Sequence, residues 1–241
     1  MRMAIVSDIH GNLAALEAVI ADLDAQAPDL IVHGGDLAAI GPRPAEVIDV
    51  IRDRGWAGVL GNTDEILFDP SGQAEQQRRA PKLRDWLQTL FETLTPWARE
   101  RLGEKRLNWL REVPRAWRQD QVLLIHAAVD DLWRAPMPDA PAEELIRAYG
   151  GRDANLVIYG HIHRPYVRQF AALTVANSGS VGLPYDGDPR SSYVLINDGV
   201  AEVRRVEYDL HRAERDAAQA GFPLTRWLAQ VQRGGSFTAP G

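Results

Sequence analysis

The chain has 241 residues, 45% hydrophobic and 25% charged, with a formal net charge of -6 and no cysteine, a length that suits one α/β domain or a domain with a small insertion. Disulfides, thiolate metal sites and a cysteine nucleophile are excluded, which fits a reducing compartment, and the acidic balance favours neither stable nucleic-acid binding nor an anionic membrane. No apolar run is long enough for a signal peptide or a membrane span, so a cytoplasmic location is expected.

Met3 to Ser7 reads as a short buried strand that runs into Asp8-Ile9-His10-Gly11-Asn12. Leu13, Leu16, Val19, Ile20 and Leu23 then recur at helical spacing. Asn12 is placed either to cap that helix or to touch phosphate at its N-terminus. Leu30-Ile31-Val32-His33 is a second strand, closed by Gly34-Gly35-Asp36, and His33 reads as a hydrogen-bonded core residue. Pro42 and Pro44 open a helix with Val47, Ile48 and Ile51 on one face. Trp56 to Leu60 is a third strand, ending in Gly61-Asn62-Thr63-Asp64. Strand, polar loop and helix alternate, which predicts a parallel sheet with ligands gathered beyond the carboxyl ends of its strands.

Residues 65–112 are helix-rich, with Trp86, Leu87, Leu90 and Phe91 among the apolar positions. They read as helices packed on the sheet, as a cap beside a pocket, or as both on different faces. Gln121 to Ile125 is another strand with His126 at its end, and 130–142, with Pro136, Pro138 and Pro141, is loop. Asn155 to Tyr159 is a buried strand ended by Gly160, after which His161 and His163 stand at i and i+2; an extended backbone would aim both rings to one side. Tyr166–Phe170, Leu173–Ala176, Ser192–Asn197 and Val200–Tyr208 predict a second, largely antiparallel sheet, with a turn at Asn197-Asp198-Gly199. The small residues of Asn177 to Gly182 let backbone approach something closely. Residues 211–232 are helical with a break at Gly221-Phe222-Pro223. One domain is expected over 1–233, with a frayed tail at 234–241.

The polar groups at strand ends are Asp8, His10, Asp36, Asn62, His126, His161 and His163, and they include four of the six histidines. Oxygen and nitrogen ligands without sulfur suit Mn, Fe, Zn, Ni or Co. Seven are too many for one tetrahedral ion, but enough for two ions that share a carboxylate and keep positions open for water and substrate. Arg164 and Tyr185 are candidates for substrate contact.

In this order, Asp8-x-His10, Gly35-Asp36, Gly61-Asn62-x-Asp64, His126 and Gly160-His161-x-His163 resemble the calcineurin-like metallophosphoesterase superfamily. Asp8-Ile9-His10-Gly11-Asn12, Gly41-Pro42, and the Asn177-to-Gly182 loop with Asp186-Gly187-Asp188 resemble its small bacterial and archaeal phosphodiesterase branch. The resemblance spans most of the chain, and 65–112 is the least diagnostic part. It implies an α/β fold, a four-layer α/β/β/α sandwich of two mixed sheets flanked by helices. It also implies two divalent ions, Mn or Fe first among the candidates. One would take Asp8, His10, Asp36 and His163; the other would take the shared Asp36 with Asn62, His126 and His161. The implied reaction is hydrolysis of a small phosphodiester or nucleotide by a water or hydroxide held between the ions. Asp36, Asn62 and Thr63 are the catalytic candidates. Thr63 departs from the family, which usually has histidine there as an acid for the leaving oxygen. A phosphomonoesterase, a dinucleoside polyphosphate hydrolase and a metal-bound interaction scaffold remain alternatives.

Overall fold

Uninterrupted apolar runs along the central strands imply burial of both faces, and each face finds a different partner. In the computed structural model, which describes residues 1–240, ten strands form two five-stranded sheets. Gly241, the end of the expected tail, lies outside the described residues. The first sheet contains β1 (Arg2–Val6), β2 (Leu30–His33), β3 (Ala57–Gly58), β9 (Ser191–Asn197) and β10 (Val200–Val206), in the order β10-β9-β1-β2-β3. The second contains β4 (Ala116–Gln119), β5 (Val122–Ile125), β6 (Leu156–Tyr159), β7 (Tyr166–Phe170) and β8 (Leu173–Asn177), in the order β4-β5-β6-β8-β7.

Both sheets are mixed, as the resemblance implies, whereas the strand patterns alone predict one parallel and one largely antiparallel sheet. β9 joins the first sheet antiparallel to β1, while β5, β6 and β8 run parallel in the second. Period-two alternation sorts the side chains into layers. Met3, Ile5, Val194 and Ile196 meet Val122, Leu124, Leu156 and Ile158 between the sheets. Their neighbours Ala4, Val6, Tyr193 and Leu195 turn to the outer face of the first sheet. Helices α1 (Leu13–Gln26) and α2 (Pro44–Asp53) cover that face through Leu16, Val19, Val47 and Ile51. Leu123, Ile125, Val157 and Tyr159 turn to the opposite outer face, under Leu145 and Tyr149 of α7 (Ala142–Tyr149). The result is the α/β/β/α sandwich.

Two elements, α7 and the edge strand β4, lie in stretches for which the sequence predicts no element. In residues 65–112, α4 (Gln73–Arg79) and α5 (Arg84–Thr89) lead through a π-turn at Leu90–Leu94 into α6 (Thr95–Arg111). Pro96 has no N–H to donate and crowds this turn; the Thr95 N–H donates instead to the Leu90 carbonyl, as does the Thr95 hydroxyl at 2.8 Å. Residues 235–238 of the C-terminal segment make contacts with the body of the domain. The Trp227 indole N–H donates to the Thr238 carbonyl at 2.6 Å, Gly187 N–H to the Gly235 carbonyl at 2.8 Å, and Phe237 packs on the main core.

Candidate metal centre and active site

The parallel strands of both sheets deliver their carboxyl ends to one place, where an open α/β sheet collects ligands. Asp8 and His10 follow β1, Asp36 follows β2, Asn62 follows β3, His126 follows β5, and His161 and His163 follow β6. All seven expected side chains converge there. His163 Nε2 lies 3.0 Å from Asp8 Oδ1 and 3.1 Å from His10 Nε2. His10 Nε2 lies 3.7 Å from Asp36 Oδ2, and His126 Nε2 lies 3.5 Å from Asp36 Oδ1. Asn62 Oδ1 is 3.0 Å from His126 Nε2 and 2.9 Å from His161 Nδ1.

The backbone reaches these positions by an unusual route. Asp8, His10, Asp36, His161 and His163 all have positive φ, between 49° and 65°. Left-handed backbone costs a non-glycine residue about 1 to 3 kcal/mol and persists only where surroundings enforce it. Enforcement comes from the neighbouring loops: Asp8 N–H donates to the Gly35 carbonyl at 2.9 Å and His10 N–H to the Asp36 carbonyl at 3.0 Å. This corrects the extended-backbone reading of the His161 and His163 pair. The two rings are not side by side; His163 joins Asp8 and His10, whereas His161 joins Asn62.

Three imidazoles have their tautomer set by main chain. Nδ1 of His10, His126 and His163 lies 2.9, 2.8 and 2.6 Å from the carbonyls of Ala39, Gly34 and Leu183. A carbonyl only accepts, so each Nδ1 carries a proton and each ring turns Nε2 inward, bare whenever the ring is neutral. Lone pairs then oppose one another at about 3 Å beside two carboxylates, an arrangement that a cation relieves. Ligand atoms of Asp8, His10, Asp36 and His163 all lie within 4.8 Å of one another, and this buried group could hold a metal ion. The donor set fits divalent metal.

Electrostatics follow from the same contacts. Burial alone would lift the Asp36 carboxyl, but His126, His10 and His161 outweigh it and hold Asp36 far below the ordinary carboxylate range. Asp8 is likewise lowered against its burial, mainly by His163. Burial would lower His126, yet the Asp36 charge wins and leaves it at about 9 without metal. Binding metal at His126 therefore releases a proton near neutral pH. Burial brings His10 and His161 to about 4.

Asp64 is a supporting residue that the ligand list missed, although it stands in the Gly61-Asn62-x-Asp64 motif. Its carboxylate accepts from Leu37 N–H at 2.9 Å and Ala38 N–H at 3.3 Å, which fixes the loop behind Asp36. Burial and the Asp36 charge raise it to about 7. Thr63 gives its backbone N–H to Asp36 Oδ1 at 2.9 Å, while its buried hydroxyl finds no partner among the described residues. Of its two readings Asn12 takes the cap: Oδ1 accepts from Ala15 N–H at 3.1 Å, Nδ2 donates to the Gly182 carbonyl at 3.3 Å, and the residue lies outside the cavity lining. His33 is a buried strand residue, but among the described residues its Nδ1 has no hydrogen-bond partner, unlike the expectation.

A cavity of about 340 Å³ opens over the centre. His10, Asp36, Asn62, Thr63, His161 and His163 line it, as do both substrate candidates, Arg164 and Tyr185. The Tyr185 ring stacks on His163 with centroids 4.3 Å apart. Trp86, Leu87 and Leu90 line the cavity while packing into the core, so residues 65–112 serve as both packing and wall.

A sandwich of two mixed sheets with an Asp/His cluster at the shared strand ends defines a phosphoesterase architecture. Residues 1–198 match the family model of the calcineurin-like phosphoesterase superfamily domain, and the chain belongs to that superfamily as a hydrolase of phosphoric ester bonds. It is similar to the uncharacterized protein MJ0912 of Methanocaldococcus jannaschii, at 26% identity over 95% of this chain and 96% of that protein. It is also similar to phosphodiesterase YfcE of Escherichia coli, at 25% identity over 82% of this chain and 89% of YfcE. The crystal structure of a metallophosphoesterase from Sphaerobacter thermophilus superposes with a TM-score of 0.79 at 25% identity, covering 98% of this chain and 100% of that one. Among the described residues, no helix is long and apolar enough to cross a membrane.

Proposed function

We propose that this enzyme hydrolyses a small phosphodiester or nucleotide with two divalent ions, manganese or iron, the same donors also suiting zinc, nickel or cobalt. Asp8, His10, Asp36 and His163 would hold one ion, and Asn62, His126 and His161 the other, with Asp36 shared. The observation that carries this reading is the inward aim of Nε2: His10, His126 and His163 each give Nδ1–H to a carbonyl and face Asp8 and Asp36 with the nitrogen that can ligate a metal. When bound, the ions supply a nucleophile at neutral pH and offset the phosphoryl charge.

The chain's own part is positioning. Asp64 and the Thr63 N–H hold the Asp36 loop in place, so the carboxylate needs no reorganisation when substrate arrives. Arg164 and Tyr185 stand where they can touch a bound ester. A threonine hydroxyl is too weak an acid to protonate a leaving oxygen, so departure depends on the leaving group itself. The similarity to a phosphodiesterase supports a diester over a monoester. The test is turnover by the Mn-reconstituted chain on a diester, a monoester and a dinucleoside polyphosphate. The diester is expected to react fastest. No turnover on any of them would contradict the proposal and favour a metal-bound scaffold.

A further inference from the structure

The cavity over the metal centre is polar at its floor and apolar on its walls. Trp86, Leu87 and Leu90 supply one stretch of wall, and Trp133 and Met137 supply another. Phe237 adds a third from the C-terminal segment. Its ring meets Tyr185 and Trp86 edge-on, with centroids 5.6 Å away in each case, and the hydrogen bonds at Gly235 and Thr238 hold its segment in place. Beyond the floor, the polar side chains of the lining are Gln76, Tyr185 through its hydroxyl, and three arginines. Arg79 is paired with Asp131. Arg134 and Arg164 donate to the carbonyls of Arg79 and Tyr185 and have no carboxylate partner among the described residues.

These features divide the labour of recognition. Unneutralised guanidinium groups attract an anionic ester to the mouth. The walls offer a ring almost no hydrogen bonds but ample aromatic and aliphatic surface, and 340 Å³ lies at the small end of ligand cavities. The polar edge of a nucleobase would have to reach Gln76, the Tyr185 hydroxyl or an arginine to be satisfied, whereas an aryl group leaves nothing unmet. Resting on the phosphoesterase reading above, we infer that the cavity selects phosphate esters whose organic group is apolar and flat, one or two aromatic rings in size. Phe237 and Met137 help set that preference.

Binding tests this without turnover. The Mn-loaded chain is titrated calorimetrically with methylphosphonate, phenylphosphonate, 1-naphthylphosphonate and adenosine monophosphate. Affinity should rise on the order of tenfold or more from methyl to naphthyl, since each ring removes apolar area from water, and the nucleotide should bind more weakly than the naphthyl compound. Phe237→Ser and Met137→Gln change half-exposed or exposed side chains, so the fold should survive, and each should shrink the naphthyl-to-methyl ratio severalfold. Equal affinity for the methyl and naphthyl compounds, tighter nucleotide binding, or an unchanged ratio in both variants would overturn the inference. Turnover of the matching p-nitrophenyl esters is measured alongside. An intact aryl preference without turnover supports the cavity inference and contradicts the phosphoesterase proposal alone.

Discussion

Thr63 stands where the superfamily usually places an imidazole acid, and its hydroxyl is buried without a partner among the described residues. Under the proposed mechanism the leaving oxygen would depart on its own stability or with help from metal. General-acid help is worth ~100- to 10,000-fold, so its absence should appear as a steep dependence of rate on leaving-group pKa. Across a series of aryl and alkyl phosphodiesters, low-pKa leaving groups should react much faster, and Thr63→His should flatten the trend. Flat wild-type rates would show that another residue supplies the proton. His33 carries a second prediction, about stability. Burial lowers it to about 4, against about 6.5 in the unfolded chain. A depressed folded pKa means that stability is full above 6.5 and falls as pH drops towards 4, because the unfolded chain takes the proton first. Metal-free wild type should lose about 2 kcal/mol more than His33→Leu between pH 7 and pH 5 in urea titrations. Equal losses would contradict a buried neutral His33. The seven converging residues were legible as polar groups at the ends of apolar strands. Their left-handed backbone and ring tautomers were not, because these depend on carbonyls of Gly34, Ala39 and Leu183 that other parts of the chain provide.

At the scale of elements, short loops place each ligand, and small residues leave room for it. A Cβ on Gly160 would lie 2.3 Å from Asp8 Oδ2 and from the Ser7 hydroxyl, which itself donates to Asp8 at 2.6 Å. Gly160→Ala should displace the Asp8 carboxylate and weaken binding of the ion it shares with His163, on the order of 10- to 100-fold. A Mn titration checks this, and unchanged affinity would contradict the role given to Asp8. The strands with two buried faces, β1, β2, β5 and β6, were readable because their apolar runs are continuous. The edge strand β4 was not, since Ala-Trp-Arg-Gln has no apolar run, and α7 carries only Leu145 and Tyr149 as buried residues behind a proline-rich stretch. Trp56 to Leu60 pairs over Ala57–Gly58 alone, because Leu60 N–H turns to the Pro114 carbonyl at 2.7 Å.

Across the whole molecule, two sheets share one inner core and bring strand ends distant in sequence to one point. That sharing was hidden in the sequence, because β9 pairs with β1 nearly the whole chain length away, and no local pattern reports such a partner. It is also what assembles the candidate metal centre: Asp8, His10, Asp36 and Asn62 come from the first sheet, while His126, His161 and His163 come from the second. The central claim is that these side chains hold two ions about a common Asp36. Metal analysis of the chain after Mn loading and removal of excess metal tests it most directly. The expected result is close to two ions per chain in the wild type and a clear fall in Asp36→Asn. Close to none in the wild type under replete Mn, or an undiminished two in Asp36→Asn, would contradict it.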